Sequence, residues 1–134
     1  PAAAWWDELR QRYAHGFIEF VPVDFSAGAC VALPLFDGVA DNLLNNVVLK
    51  QQMESRLKGT VMLSADARVL SVCDNGSAMR KEIEGLVLRA PVASENGLGI
   101  GLYHAARQAE VYGYELRLLS NEDGRVCFEL RKTA

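Results

Sequence analysis

Two asparagines four residues apart, a carboxylate two residues before a glycine, and three alternating glycines follow one another in this chain. They lie in DNLLNN at 41–46, DNG at 74–76 and GLGIGL at 97–102. On a helix, Asn42 and Asn46 project about 40° apart and face one ligand together. An amide oxygen is a neutral hard ligand suited to Mg²⁺, which keeps most of its waters and takes the rest of its shell from phosphate. A carboxylate such as Asp74 accepts a hydrogen bond from an exocyclic amine, and Gly76 lets the backbone come close to a flat ring. Gly97, Gly99 and Gly101 free backbone N–H groups to point at an anion, with the partial positive charge of a helix start behind them. The combined chemistry is that of adenine, a divalent metal and a triphosphate. Each element alone has a plainer reading, as surface amides, a turn after a strand, or a hinge. No GxxxxGK[ST] occurs, and the glycine run does not follow the first strand of a parallel unit, so neither a P-loop nor a dinucleotide fingerprint is present.

These residues need elements to hold them. Leu35, Phe36, Val39, Ala40, Leu43, Leu44, Val47 and Val48 fall at intervals of three and four, which predicts a helix from Pro34 to about Met53 carrying both asparagines. Pro34 suits the first turn. Residues 59–65 and 68–74 are β-prone and joined by a short connection at Asp66 and Ala67, a hairpin that delivers Asp74 to a strand exit. An Ala-rich helix is expected from about Ile100 to Val111, closed by Gly113. Residues 114–120 and 125–131 form a last hairpin around a turn at residues 121–124. Upstream, residues 4–13 are helical in composition and stopped by Gly16. Residues 17–23 suit an edge strand interrupted by Pro22, and 29–33 are a second short strand candidate. Residues 79–96 have no clear period and read as an irregular, mobile lid. The order argues an α/β two-layer sandwich of the α+β kind, with helices on one face of a mixed, mostly antiparallel sheet.

Composition narrows the classes. The chain has 134 residues, half of them apolar, enough for one self-sufficient core. Its net charge of -3 and scattered Lys and Arg leave no footprint for nucleic acid. No apolar run is long enough for a membrane helix, so this piece is expected outside the membrane. Cys30, Cys73 and Cys127 are odd in number, without CxxC spacing and within strand-like runs. They are expected as buried reduced thiols, which points to a cytoplasmic compartment. Residues 1–15 read as the end of a preceding helix or linker, and 16–134 as one domain, cut from a longer protein whose remainder is free to be membrane-anchored.

N-L-L-x-N on a helix, D-x-G after a strand, and G-x-G-I-G-L opening a helix together resemble the catalytic, ATP-binding domain of bacterial sensor histidine kinases. That domain belongs to the wider GHKL superfamily, which includes DNA gyrase B, the large heat-shock chaperones and MutL. The resemblance spans about residues 30–131 and implies the Bergerat ATP-binding fold, with ATP and Mg²⁺ as cofactors. It further implies that Asn46 ligates Mg²⁺, Asn42 supports the phosphate and metal side, and Asp74 binds the adenine amine beside Gly76. Gly97, Leu98, Gly99, Ile100, Gly101 and Leu102 would form the phosphate cradle and lid hinge, and Lys50 would contact phosphate.

In ATP-hydrolysing members of that superfamily the position of Asn42 looks to be a Glu acting as general base. An amide takes no proton at neutral pH, and Asp41 is turned by about another 100° on the helix. Phosphoryl transfer to an outside acceptor is therefore favoured over water activation. Neither His15 nor His104 fits the acceptor, which the resemblance places on a separate dimerisation domain of the same parent, with a response regulator downstream. Three departures stand against the pattern: Ala78 replaces a second glycine, IEGLVL at 83–88 lacks a Phe, and no hydroxyl residue lies near 124–126. They keep two rivals in view, a degenerate regulatory domain acting by protein contact and an anti-sigma-type serine kinase. The parent reading frame upstream of Pro1 is expected to encode a His followed by an acidic residue on an amphipathic helix. Sequencing it checks this, and its absence favours a rival.

Overall fold

The computed structural model describes residues 1–90 and 98–133. The chain folds as α1 (Ala2–Arg12), β1 (Ile18–Phe20), α2 (Leu33–Met53), β2 (Gly59–Leu63), β3 (Val69–Asp74), α3 (Lys81–Glu84), α4 (Leu98–Val111), β4 (Tyr114–Glu122) and β5 (Arg125–Lys132). One open five-stranded sheet runs in the order β1-β2-β3-β5-β4. Only β1 against β2 is parallel, and the other three pairs are antiparallel.

Register sorts the sheet into two faces. Ile18 pairs with Gly59, Val61 with Val72, Leu63 with Leu70, Val72 with Phe128, and Leu70 and Leu116 both with Leu130. Because strand side chains alternate, all of these point to one side, and they are buried. Against them lies the apolar face of α2, with Leu35, Phe36, Val39, Ala40 and Leu44 fully buried. Trp5 of α1 meets Phe36 edge-on at 5.4 Å, Phe36 meets Tyr114 of β4 at 5.5 Å, and Trp6 meets Phe20 of β1 at 5.4 Å. Helices therefore cover one face of a mixed, mostly antiparallel sheet, as the α/β two-layer expectation holds.

Local chemistry explains several element ends. Val21 still donates to the Val61 carbonyl, and Pro22, without an N–H, follows at the free edge. Gly113 adopts φ +79 behind α4, the left-handed closure foreseen for it. The last hairpin is tighter than expected, because both strands extend and leave only Asp123 and Gly124 in the turn, where Gly124 has φ +91. Residues 29–33 form no strand. Ala2 donates to the Ala29 carbonyl, and α2 already starts at Leu33, so both ends of the run are engaged by helices instead of a strand.

The segment after residue 79 is not irregular where it is described. α3 continues through hydrogen-bonded turns to Ala90, because Ile83 and Val87, four apart, turn toward the core and Val87 is buried. Residues 91–96, the rest of the expected lid, lie outside the described residues.

The cysteines also differ from expectation. Cys73 of β3 lies opposite Cys127 of β5, their Cα atoms 4.1 Å apart, and the two form a disulfide on the helix-free face of the sheet. Cys30 is exposed and sits in the coil before α2. Reduced thiols therefore no longer argue for a compartment. Among the described residues no helix is long and apolar enough to cross a membrane. The bridge closes a loop of 54 residues, so its reduction is expected to cost about 2–4 kcal/mol of stability. Thiol labelling of the denatured chain checks the pairing: one reactive thiol before reduction and three after are expected, and three before reduction would refute the bridge.

Candidate functional site

Asn42, Asn46 and Lys50 are successive i, i+4 positions on α2 and form a stripe about 12 Å long beside its apolar face. The two ends of the stripe reach different parts of the site. At one end Asn42 lies so close to α4 that a Cβ placed on Gly101 would overlap its side-chain oxygen. Its amide nitrogen donates back to the Gly38 carbonyl at 2.8 Å, which fixes the amide's orientation. At the other end Lys50 Nζ lies 2.9 Å from Asp74 Oδ1. Asn46 is half-buried midway. The amides, the carboxylate and the start of α4 are therefore brought together along one helix.

Asp74 is the last residue of β3 and pairs with Gly59 on one side and Val126 on the other. Its side chain is 4% exposed, and its Oδ1 accepts from both Lys50 and the Gly76 N–H, the latter at 2.9 Å. Gly59 is what lets α2 descend here, since a Cβ on it would stand 2.9 Å from Val47 Cγ1. The turn after Asp74 is fastened from several sides. Asn75 Oδ1 accepts from the Lys58 N–H at 2.7 Å, and the Gly76 carbonyl accepts from Gly124 N–H at 2.9 Å. Glu54 accepts from the Ser77 N–H and hydroxyl at 2.9 and 2.8 Å. Asp123 and Asn121 accept from the N–H groups of Ala78 and Met79.

Space over Gly76 is already occupied by protein. A Cβ there would stand 2.5 Å from Leu57 Cδ1 and 3.1 Å from Glu54 Oε1. A cavity of about 440 Å³ opens beside it, lined by Glu54, Leu57 and Asn75 but not by Asp74 or Asn46. Glu54, Leu57, Asn121 and Asp123 were not singled out from the sequence. The only signal for Glu54 was its position four residues past Lys50, at the end of α2.

The glycine run sits differently from a loop. α4 already begins at Leu98, so Gly99 lies in its first turn, where backbone N–H groups lack intrahelical partners, and Gly101 is its fourth residue, where those bonds begin. Gly97 lies outside the described residues. Leu102 is buried in the core, and Ile100 is 45% exposed. Arg89, in the segment expected as a lid, lines a cavity of about 490 Å³ between α3, α4 and β4, together with Arg107 and Arg117 and the opposing Glu84, Glu110 and Glu115. That cavity is separate from the α2 stripe. His104 is exposed on α4, and His15 stacks on Phe17 at 5.0 Å.

Asp41 faces away from the stripe. Its Oδ1 accepts from the Tyr13 hydroxyl at 2.7 Å and from Arg12 at 2.8 Å. Burial, and then the hydrogen bond to Asp41, push the Tyr13 phenol well above its ordinary range. Trp5 Nε1 donates to neighbouring Asp37 at 2.7 Å, so α1 is pinned to the back of the helix that carries the candidate ligands.

No protein-family model matches the chain, and no curated protein matches it. Solved structures do. The nucleotide-free catalytic domain of histidine kinase ThkA superposes with a TM-score of 0.64 at 20% identity, covering 98% of this chain and 89% of that one. The mycobacterial sensor histidine kinase MprB gives 0.61 at 17% identity over 96% of this chain and 91% of that one. Full-length ShkA in complex with AMPPNP gives 0.66 at 21% identity, over 98% of this chain and 29% of that one. The chain thus has the fold of histidine-kinase catalytic domains.

The contact between Asn42 and Gly101 is testable by a double-mutant cycle. Gly101→Ala alone is expected to lose about 1–2 kcal/mol through overpacking. In an Asn42→Ala background it is expected to gain up to about 1 kcal/mol from helix propensity. Chemical denaturation measures both, and equal effects in the two backgrounds would contradict the contact.

Proposed function

We propose that this chain is the ATP-binding catalytic domain of a two-component sensor histidine kinase. It passes the γ-phosphoryl group of Mg·ATP to a His on the dimerisation domain of the same parent protein, from which a downstream response regulator is phosphorylated. The single observation supporting this most is the α2 stripe, which reaches Gly101 at the start of α4 and Asp74 at the end of β3 within the fold of such domains. Such transfer would take place in the cytoplasm.

The residues fit the cofactors. Asn46 offers one neutral hard oxygen, and among the described residues no group of three or more His, Cys, Asp or Glu side chains converges to cage a metal. A single amide with phosphate oxygens and waters is the shell Mg²⁺ accepts, and the ion supplies charge neutralisation at the phosphates when bound. Asp74 holds the adenine amine beside Gly76. Asn42 and the free N–H groups of Gly99 and Ile100 face the phosphate side, with Leu98 opening the helix, Gly101 admitting the Asn42 amide beside it and buried Leu102 anchoring the helix in the core.

Water is a poor acceptor in this geometry. Asn42 cannot take a proton, and Asp41 is held by Tyr13 and Arg12 on the far side of α2. This favours an acceptor brought from outside, which the resemblance to histidine kinases makes an imidazole nitrogen. It forms the new N–P bond as the bond from γ-phosphorus to the bridging oxygen breaks and ADP leaves.

One observation favours a second reading, a regulatory domain with weak nucleotide binding. Lys50 already occupies Asp74, and Leu57 lies over Gly76. Calorimetric titration with AMPPNP and Mg²⁺ separates the two. Binding that is lost in Asp74→Ala, and that loses its Mg²⁺ dependence in Asn46→Ala, is expected for the kinase. No heat from the intact chain would overturn the kinase reading.

A further inference from the structure

Lys50 and Asp74 cannot serve a nucleotide independently, because each is the other's partner. The ammonium stands 2.9 Å from the carboxylate oxygen that also holds the Gly76 N–H, and the two side chains are only 18% and 4% exposed. Both lone pairs of that oxygen, Oδ1, are engaged, so an exocyclic amine is admitted to it only when Lys50 withdraws. We infer that Lys50 is a specificity-determining residue: it is an internal occupant of Asp74 that must leave when the base enters, so the site discriminates ligands by their phosphates. This inference rests on the proposed nucleotide site and deepens it.

The exchange is unequal for different ligands. A bare nucleoside replaces a charge-assisted contact with a neutral amine and leaves a half-buried ammonium without a counter-ion, at a net loss. A triphosphate brings the missing negative charge. Lys50 lies one α2 turn beyond Asn46, about 6 Å along the axis, and its long flexible stem lets the head swing between the two ends. The ammonium released from Asp74 is then neutralised by phosphate. Base recognition and phosphate recognition thereby become one coupled event. Glu54, one turn further along, is engaged by Ser77 and does not offer Lys50 an alternative partner without breaking that turn.

The test is calorimetric titration of the chain with adenosine and, separately, with AMPPNP and Mg²⁺, in wild type, Lys50→Gln and Asp74→Ala. In Lys50→Gln, adenosine is expected to bind at least about tenfold more tightly, the scale of a charge-assisted hydrogen bond that no longer has to be broken. AMPPNP is expected to gain much less or to weaken, so that the preference for it over adenosine falls by about tenfold or more. Unchanged adenosine affinity in Lys50→Gln, with binding still abolished in Asp74→Ala, overturns the Lys50 inference alone, because the amine then shares the carboxylate with Lys50. AMPPNP binding that survives in Asp74→Ala overturns the site itself. Should Lys50→Gln fail to fold, the wild-type Lys50 ammonium resonance decides: adenosine is expected to leave it in place and AMPPNP to shift it, and a resonance moved by neither ligand refutes the exchange.

Discussion

A buried ammonium–carboxylate pair ties the longest helix to the end of a central strand, and much else follows from it. Lys50 and Asp74 are the only charged partners exchanged between α2 and β3 among the described residues. With Asp74 4% exposed and Lys50 18%, breaking the pair on one side leaves a charge short of its partner, at a cost below the roughly 3–5 kcal/mol of a fully buried pair. The pair therefore sets how far along the sheet α2 can lie, and with it the positions of Asn46 and Asn42, one and two turns earlier. Register of the helix on the strand becomes register of the ligand groups.

Three glycines let that helix sit where it does. Gly59 yields to Val47, Gly101 to Asn42, and Gly76 to Leu57 and Glu54. Each contact brings the backbone of a neighbouring element against α2 or the turn that follows it, and each would be obstructed by a methyl group. The turn after Asp74 gains further rigidity from Asn75, Asn121 and Asp123, which hold backbone N–H groups from three directions. On the far side of α2, Trp5, Arg12 and Tyr13 grip Asp37 and Asp41. α1 and the candidate ligands thus lie on opposite faces of one helix.

Much of this was legible in the residues because the signals were periodic. The three-and-four spacing of α2 named its apolar face, so the stripe beside it followed from geometry. β2, β3, β4 and β5 were visible as β-prone runs bounded by turn residues. What was hidden depended on contacts between distant segments. Cys73 and Cys127 become neighbours only through the register of β3 on β5, which 54 residues of separation conceal. The run at 29–33 looks β-prone, yet its ends are taken by α1 at Ala29 and by α2 from Leu33. The four-residue spacing of Ile83 and Val87 was too short a signal to stand out among charges, and the start of α4 was read two residues late because glycine disfavours helix interiors. The meeting of Lys50 with Asp74 required knowing where on the strand the helix lands, and no local pattern carries that.

The proposed activity depends on one stripe of α2 binding a metal–nucleotide together with Asp74 and the start of α4. Paramagnetic broadening by Mn²⁺·AMPPNP, followed in an amide-resolved NMR spectrum, tests that most directly. Selective loss of the Asn42 and Asn46 side-chain signals and of the Gly101 amide, with Glu129 and Arg131 on the open face unaffected, is the predicted result. Broadening centred instead on the arginine-lined cavity between α3, α4 and β4, or no broadening at all, would contradict it.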